Sequence, residues 1–75
     1  MTEIIHIGKL IQAKMKTDGR SAQWLAQQLH CETSNIYKIY EKPTINTGLL
    51  LRISKALNID FFANYSNLLI KGQIT

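Results

Sequence analysis

Apolar residues along the chain recur at intervals of three and four, and nowhere do apolar and polar positions alternate over the length of a strand. That spacing is the period of helices buried on one face. Ile4, Ile7, Ile11 and Met15 form one stripe, with Leu10 alongside and Lys9, Gln12 and Lys16 on the other side, and Asp18-Gly19 ends the run. A second stripe, Ala22, Leu25, Ala26 and Leu29, follows Ser21, whose hydroxyl suits an N-cap. After a corner at His30 to Glu32, TSNIYKIYEK puts Ile36 and Ile39 on one side and Thr33, Ser34, Tyr37 and Lys38 on the other. Lys42-Pro43-Thr44 breaks the periodicity, since proline offers no N–H and clashes with a continuing helix. Asn46 or Thr47 then caps GLLLRISKAL, which presents Leu50, Ile53, Ala56 and Leu57 at helical spacing, and Asn58 ends it in the left-handed region. Asp60 caps FFANYSNLLI, and Lys71 to Thr75 reads as a frayed polar tail. The expectation is an all-α domain of five short helices over residues 1–70, followed by a tail over 71–75.

Composition narrows what such a domain does. A chain of 75 residues, 45% of them hydrophobic and none of them valine, folds as one domain but has little room for both a core and an enclosed active site. It carries no paired carboxylates, no nucleophile with a base and an orienting group, and no Gly-rich phosphate loop, so the expectation is a protein that is not an enzyme and needs no cofactor. His6, His30 and the single cysteine, Cys31, are too few and wrongly spaced for zinc, and no metal site is expected. One cysteine makes no internal disulfide, no apolar run nears a membrane span, and MTEIIHIGKL is not a secretory signal; a cytoplasmic protein with no membrane partner is expected. Nine Lys and Arg against five Asp and Glu leave a net charge of +4, which suits a polyanionic partner.

The spacing within residues 22 to 39 carries the functional reading. Two short helices that cross steeply need a large apolar residue, a small one where the backbones approach, and more apolar residues around the corner. Leu25, Ala26, Leu29, Cys31, Ile36 and Ile39 supply them. This pattern resembles the helix-turn-helix of the phage-repressor-like, or XRE, family, and LRISKALNIDFF is similar to the stretch that closes the core of that family. The likeness covers nearly the whole chain and implies a five-helix lambda-repressor-like domain whose helix-turn-helix is formed by helices two and three.

The resemblance implies a sequence-specific, double-stranded DNA-binding transcriptional regulator, a repressor acting as a homodimer, with helix three in the major groove. Thr33, Ser34, Tyr37 and Lys38 then match base-contacting positions, and Ser21, Ala22, Gln23, Lys42 and Thr44 match phosphate contacts. Cys31 matches a small apolar plug between helices two and three, and His30 a turn residue of positive φ that is often glycine. Ala22 and Glu32 depart from the family pattern, each removing a polar group expected to face DNA. Met15 and Tyr40 stand where many relatives pair Arg with Glu, and they are expected to pack on each other instead. Trp24 is expected to be partly buried. Phe61, Phe62, Tyr65, Leu68 and Leu69 exceed what a small core needs and are candidates for a dimer interface. The same fold also serves as a protein-interaction module, such as a toxin-neutralising antitoxin or a mobile-element adaptor. Lys9, Lys14, Lys38 and Lys42 gathered around helix three would favour DNA; an apolar patch around Trp24 would favour a protein partner.

Overall fold

The computed structural model describes residues 5–74, with side chains through Leu69, and Ile4 falls outside the described residues. The described chain is all helical: α1 spans Ile7–Thr17, α2 Ala22–Leu29, α3 Thr33–Glu41, α4 Thr47–Leu57 and α5 Phe62–Ile74. Among the described residues there is no strand, and no helix is long and apolar enough to cross a membrane. The last helix does not stop at Ile70 as its pattern implied; its backbone continues through Ile74, so most of the polar tail is helical.

Each stripe of apolar residues turns into one core. Ile7, Ile11 and Met15 of α1 meet Leu25, Ala26 and Leu29 of α2, Ile36 and Ile39 of α3, Leu50, Ile53 and Leu57 of α4, and Phe61. Ile7, Ile11, Leu25, Ile36 and Ile53 are fully buried, and each such side chain contributes roughly 1.5–3 kcal/mol relative to exposure. Ala56, half-buried, packs at the margin with Leu10, Trp24, Tyr40 and Phe62.

The helix starts are capped by local chemistry. Ser21 Oγ accepts from Trp24 N at 3.1 Å, Asn46 Oδ1 from Leu49 N at 2.7 Å, and Asp60 Oδ1 from Phe62 N at 3.0 Å. Asn46 is thus the cap of α4, and Thr47 is its first helical residue. His6 Nδ1 accepts from Lys9 N at 3.1 Å and so caps α1, a role not legible from a residue that is uncommon at this position.

Three helix ends share one backbone solution. A residue with positive φ turns its own N–H and that of the next residue back onto the final carbonyls. Gly19 does this after α1, with Gly19 N donating to Lys16 O and Arg20 N to Met15 O. His30 (φ 55°) repeats it after α2, with Cys31 N donating to Ala26 O at 3.0 Å, and Asn58 (φ 54°) after α4, with Ile59 N donating to Ser54 O at 3.0 Å.

Contact between α1 and α3 depends on a missing side chain. A Cβ on Gly8 would collide with the carbonyl oxygens of Ile39 and Tyr40, and would lie 2.7 Å from that of Lys42. Without it, Ile7 N reaches Pro43 O and Gly8 N reaches Lys42 O, both at 3.0 Å. The start of α1 is therefore tied to the end of α3 and the loop after it.

Candidate functional site

The α2–α3 corner orients α3 against the rest of the domain. Leu25, Ala26, Leu29, Ile36 and Ile39 are buried around it, whereas Cys31 is a half-buried free thiol at the edge of the core rather than a filled plug. A second tie comes from α4: the Arg52 guanidinium donates through Nη2 to Leu29 O, the carbonyl at the end of α2. A cation at a helix C-terminus also offsets the partial negative charge there. Arg52 escapes a reading based on apolar spacing, because nothing local in LRISK marks its partner twenty-three residues away.

With Ile36 and Ile39 inward, the helical period sends Ser34, Lys38 and Glu41 to the middle of the outward face, with Tyr37 on one flank and Asn35 on the other. All five are exposed, and Tyr37 remains 59% exposed despite its size. Thr33 is only half-buried at the margin, so it is the least available of the residues matched to base contacts. It is also not the helix cap: Glu32 occupies that place and makes no side-chain capping bond. Asn35 and Glu41 were not among the expected site residues; the helical period alone places Glu41 in line with Ser34 and Lys38.

On the flank of this face, Tyr37 and Tyr40 meet edge to face, with ring centroids 6.0 Å apart and planes at 88°. They line a shallow groove of about 420 Å³ with His6, Lys9, Gln12 and Glu41. Tyr40 is half-buried at the margin of the same core that contains Met15. Burial, and secondarily the neighbouring Tyr37, holds the Tyr40 phenol above its ordinary value.

The start of α2 differs from the start of α1 in what it leaves available. In α1 the N–H groups of Ile7, Gly8, Lys9 and Leu10 are all engaged. In α2, Trp24 N is held by Ser21 Oγ and Leu25 N by Ser21 O, while the N–H groups of Ala22 and Gln23 have no partner among the described residues. The Ala22 side chain itself turns toward the core, so only its backbone faces out. Ser21, Gln23, Lys42 and Thr44 are exposed.

The cations whose gathering around α3 would favour DNA are divided. Lys9 lies in the tyrosine groove, and Lys42 follows α3 beside Gly8. Lys14 is instead paired with Asp18 at 3.1 Å. Trp24 is half-buried against the core, and the Arg20 guanidinium stacks over its ring at 4.4 Å. The aromatic group of α5 also divides. Phe61 is 1% exposed and belongs to the core, which removes it from any interface; Phe62, Tyr65 and Leu68 are half-buried, and Leu69 is 68% exposed. Among the described residues no three His, Cys, Asp or Glu side chains converge as a metal site would require.

No protein-family model, curated protein or solved structure matches the chain.

Proposed function

We propose that the chain is a sequence-specific DNA-binding regulator, in which α2 and α3 form a helix-turn-helix of the lambda-repressor-like kind and α3 enters the major groove. One observation carries the reading: α3 has an outward face of Ser34, Tyr37 and Lys38 that stays exposed, on a helix whose other face is fixed by Ile36 and Ile39. Such a face presents hydroxyls and a cation to base edges, and Lys38 is the group suited to guanine O6 and N7. The available N–H groups of Ala22 and Gln23, with Ser21 beside them, and the exposed Lys42 and Thr44 of the loop after α3 supply phosphate contacts that orient the domain without reading sequence.

Two copies would occupy half-sites about one helical turn apart. Leu69, with the exposed edges of Phe62, Tyr65 and Leu68, supplies the surface on which they meet. Occupancy of the operator is then the means of repression, in the cytoplasm where the DNA is accessible.

A protein-interaction module is the second reading, favoured by a different observation. Leu51 is exposed on the outer side of α4, and Ile59 and Phe62 flank a shallow depression beside it. A partner on that surface would leave α3 idle.

The double substitution Tyr37→Ala with Lys38→Ala separates the two. Both side chains are exposed, so the helix content should hold and stability should fall only by the lost Tyr37–Tyr40 contact, about 0.5–1.5 kcal/mol. Specific DNA binding should fall by roughly thirtyfold or more, from about 1–3 kcal/mol at each of two lost base contacts. Unchanged specific binding would remove α3 as the reader.

A further inference from the structure

We infer that Tyr37 and Tyr40 act as one aromatic reading unit, in which Tyr40 is a positioning residue that holds the Tyr37 ring against the methyl group of a thymine in the major groove. The inference deepens the DNA-binding reading and rests on it.

Tyr37 is 59% exposed, yet its ring does not stand alone. The edge-to-face contact with Tyr40, 6.0 Å between centroids and 88° between planes, is the arrangement that ring quadrupoles favour. Tyr40 is anchored in turn: it is half-buried against the core in the last turn of α3, where the Gly8 backbone of α1 passes over the carbonyls of Ile39 and Tyr40. One ring is fixed by the fold, and the other leans on it. A lone tyrosine on a helix surface samples several rotamers, and ordering it on binding costs entropy; a neighbour that has already selected the rotamer reduces that cost.

The chemistry of the ring then selects its target. The thymine methyl is the apolar group that base pairs display in the major groove, and an aromatic carbon surface is what complements it. Ser34 and Lys38, the exposed neighbours, are polar and suit donors and acceptors instead.

The test uses the full chain and the duplex site it selects from a random pool. Each thymine of that site is replaced singly by deoxyuridine, which removes only the methyl group. At one position the wild type should lose roughly fourfold in affinity, the worth of one apolar carbon. Tyr37→Ala should bind thymine and uracil equally there. Tyr40→Phe, which keeps the ring, should retain the discrimination; Tyr40→Leu, with helix content and Tm checked, should lose it. If Tyr40→Leu keeps the wild-type ratio, the positioning role is overturned, and if no thymine is methyl-sensitive, the role of Tyr37 is overturned. Should Tyr40→Leu not fold, NMR side-chain couplings of Tyr37 in the wild-type chain decide: a single χ1 rotamer supports the unit, and averaging overturns it. If the wild type selects no shared site at all, the DNA-binding reading fails and this inference with it, a result distinct from selection of a site without methyl sensitivity.

Discussion

His30 and Tyr40 show how single side chains are fitted to places the backbone creates. At φ 55°, His30 occupies a region that costs an ordinary L-residue roughly 1–2 kcal/mol and glycine almost nothing. Its side chain is exposed and its N–H bonds to Gln27 O whatever the residue. His30→Gly should therefore stabilise the domain by about 0.5–1 kcal/mol, seen as a Tm rise of roughly 4 °C, once the extra freedom of glycine in the unfolded chain is subtracted. An unchanged or lower Tm would mean that the histidine ring has a role the backbone does not explain. Tyr40 makes a prediction about pH. Its phenol is raised above the ordinary value, by burial first and by Tyr37 second. The folded chain thus holds the proton more tightly than the unfolded chain, so stability is fully present below the unfolded value, near pH 10, and declines as pH rises through the folded one. Tyr40→Phe should lose less stability than the wild type between pH 8 and about 11 in thermal melts. Equal losses would show that Tyr40 ionises as freely in the fold as outside it.

At the scale of elements, the legible part of the fold was the part set by local rules. The apolar stripes in residues 7–57 became the buried faces of α1 to α4, and Ser21, Asn46, Asp60, Gly19 and Asn58 mark helix boundaries because capping chemistry is local. What escaped the sequence depends on neighbours distant along the chain. Phe61 looked like interface material within a run of large apolar residues, and only its insertion into the core from the turn before α5 makes it interior. Arg52 to Leu29 O and the crossing of Gly8 over α3 are likewise tertiary. The candidate site divides in the same way: the outward Ser34, Tyr37 and Lys38 and the inward Ala22 followed from helical period, while the half-burial of Thr33 did not. Gly8→Ala gains about 1 kcal/mol of helix propensity but forces a methyl group against three backbone carbonyls that cannot move independently. The net cost should be about 2 kcal/mol or more in urea unfolding, because α1 must separate from α3 to admit it. A neutral result would mean that the two helices slide apart without loss.

For the whole molecule, the proposal is that a modest net charge of +4 works through placement rather than amount. Lys14 is occupied by Asp18, and Glu41 brings a negative charge to the face that would meet DNA, so of the four cations considered around α3 Lys9, Lys38 and Lys42 remain to neutralise phosphates. Affinity should be moderate and strongly dependent on salt. Lys42→Ala, at the end of α3, should weaken binding to all sequences alike and reduce the slope of log K against log salt by about one, leaving sequence preference intact. A change in preference would move Lys42 from orienting the domain to reading bases. The most direct measurement is a selection of sheared genomic DNA by the purified chain at physiological salt, followed by sequencing and a salt titration of the enriched fragments. A dimeric regulator should enrich a shared inverted repeat with half-sites about one helical turn apart. Weak, salt-sensitive binding with no shared site would contradict that reading.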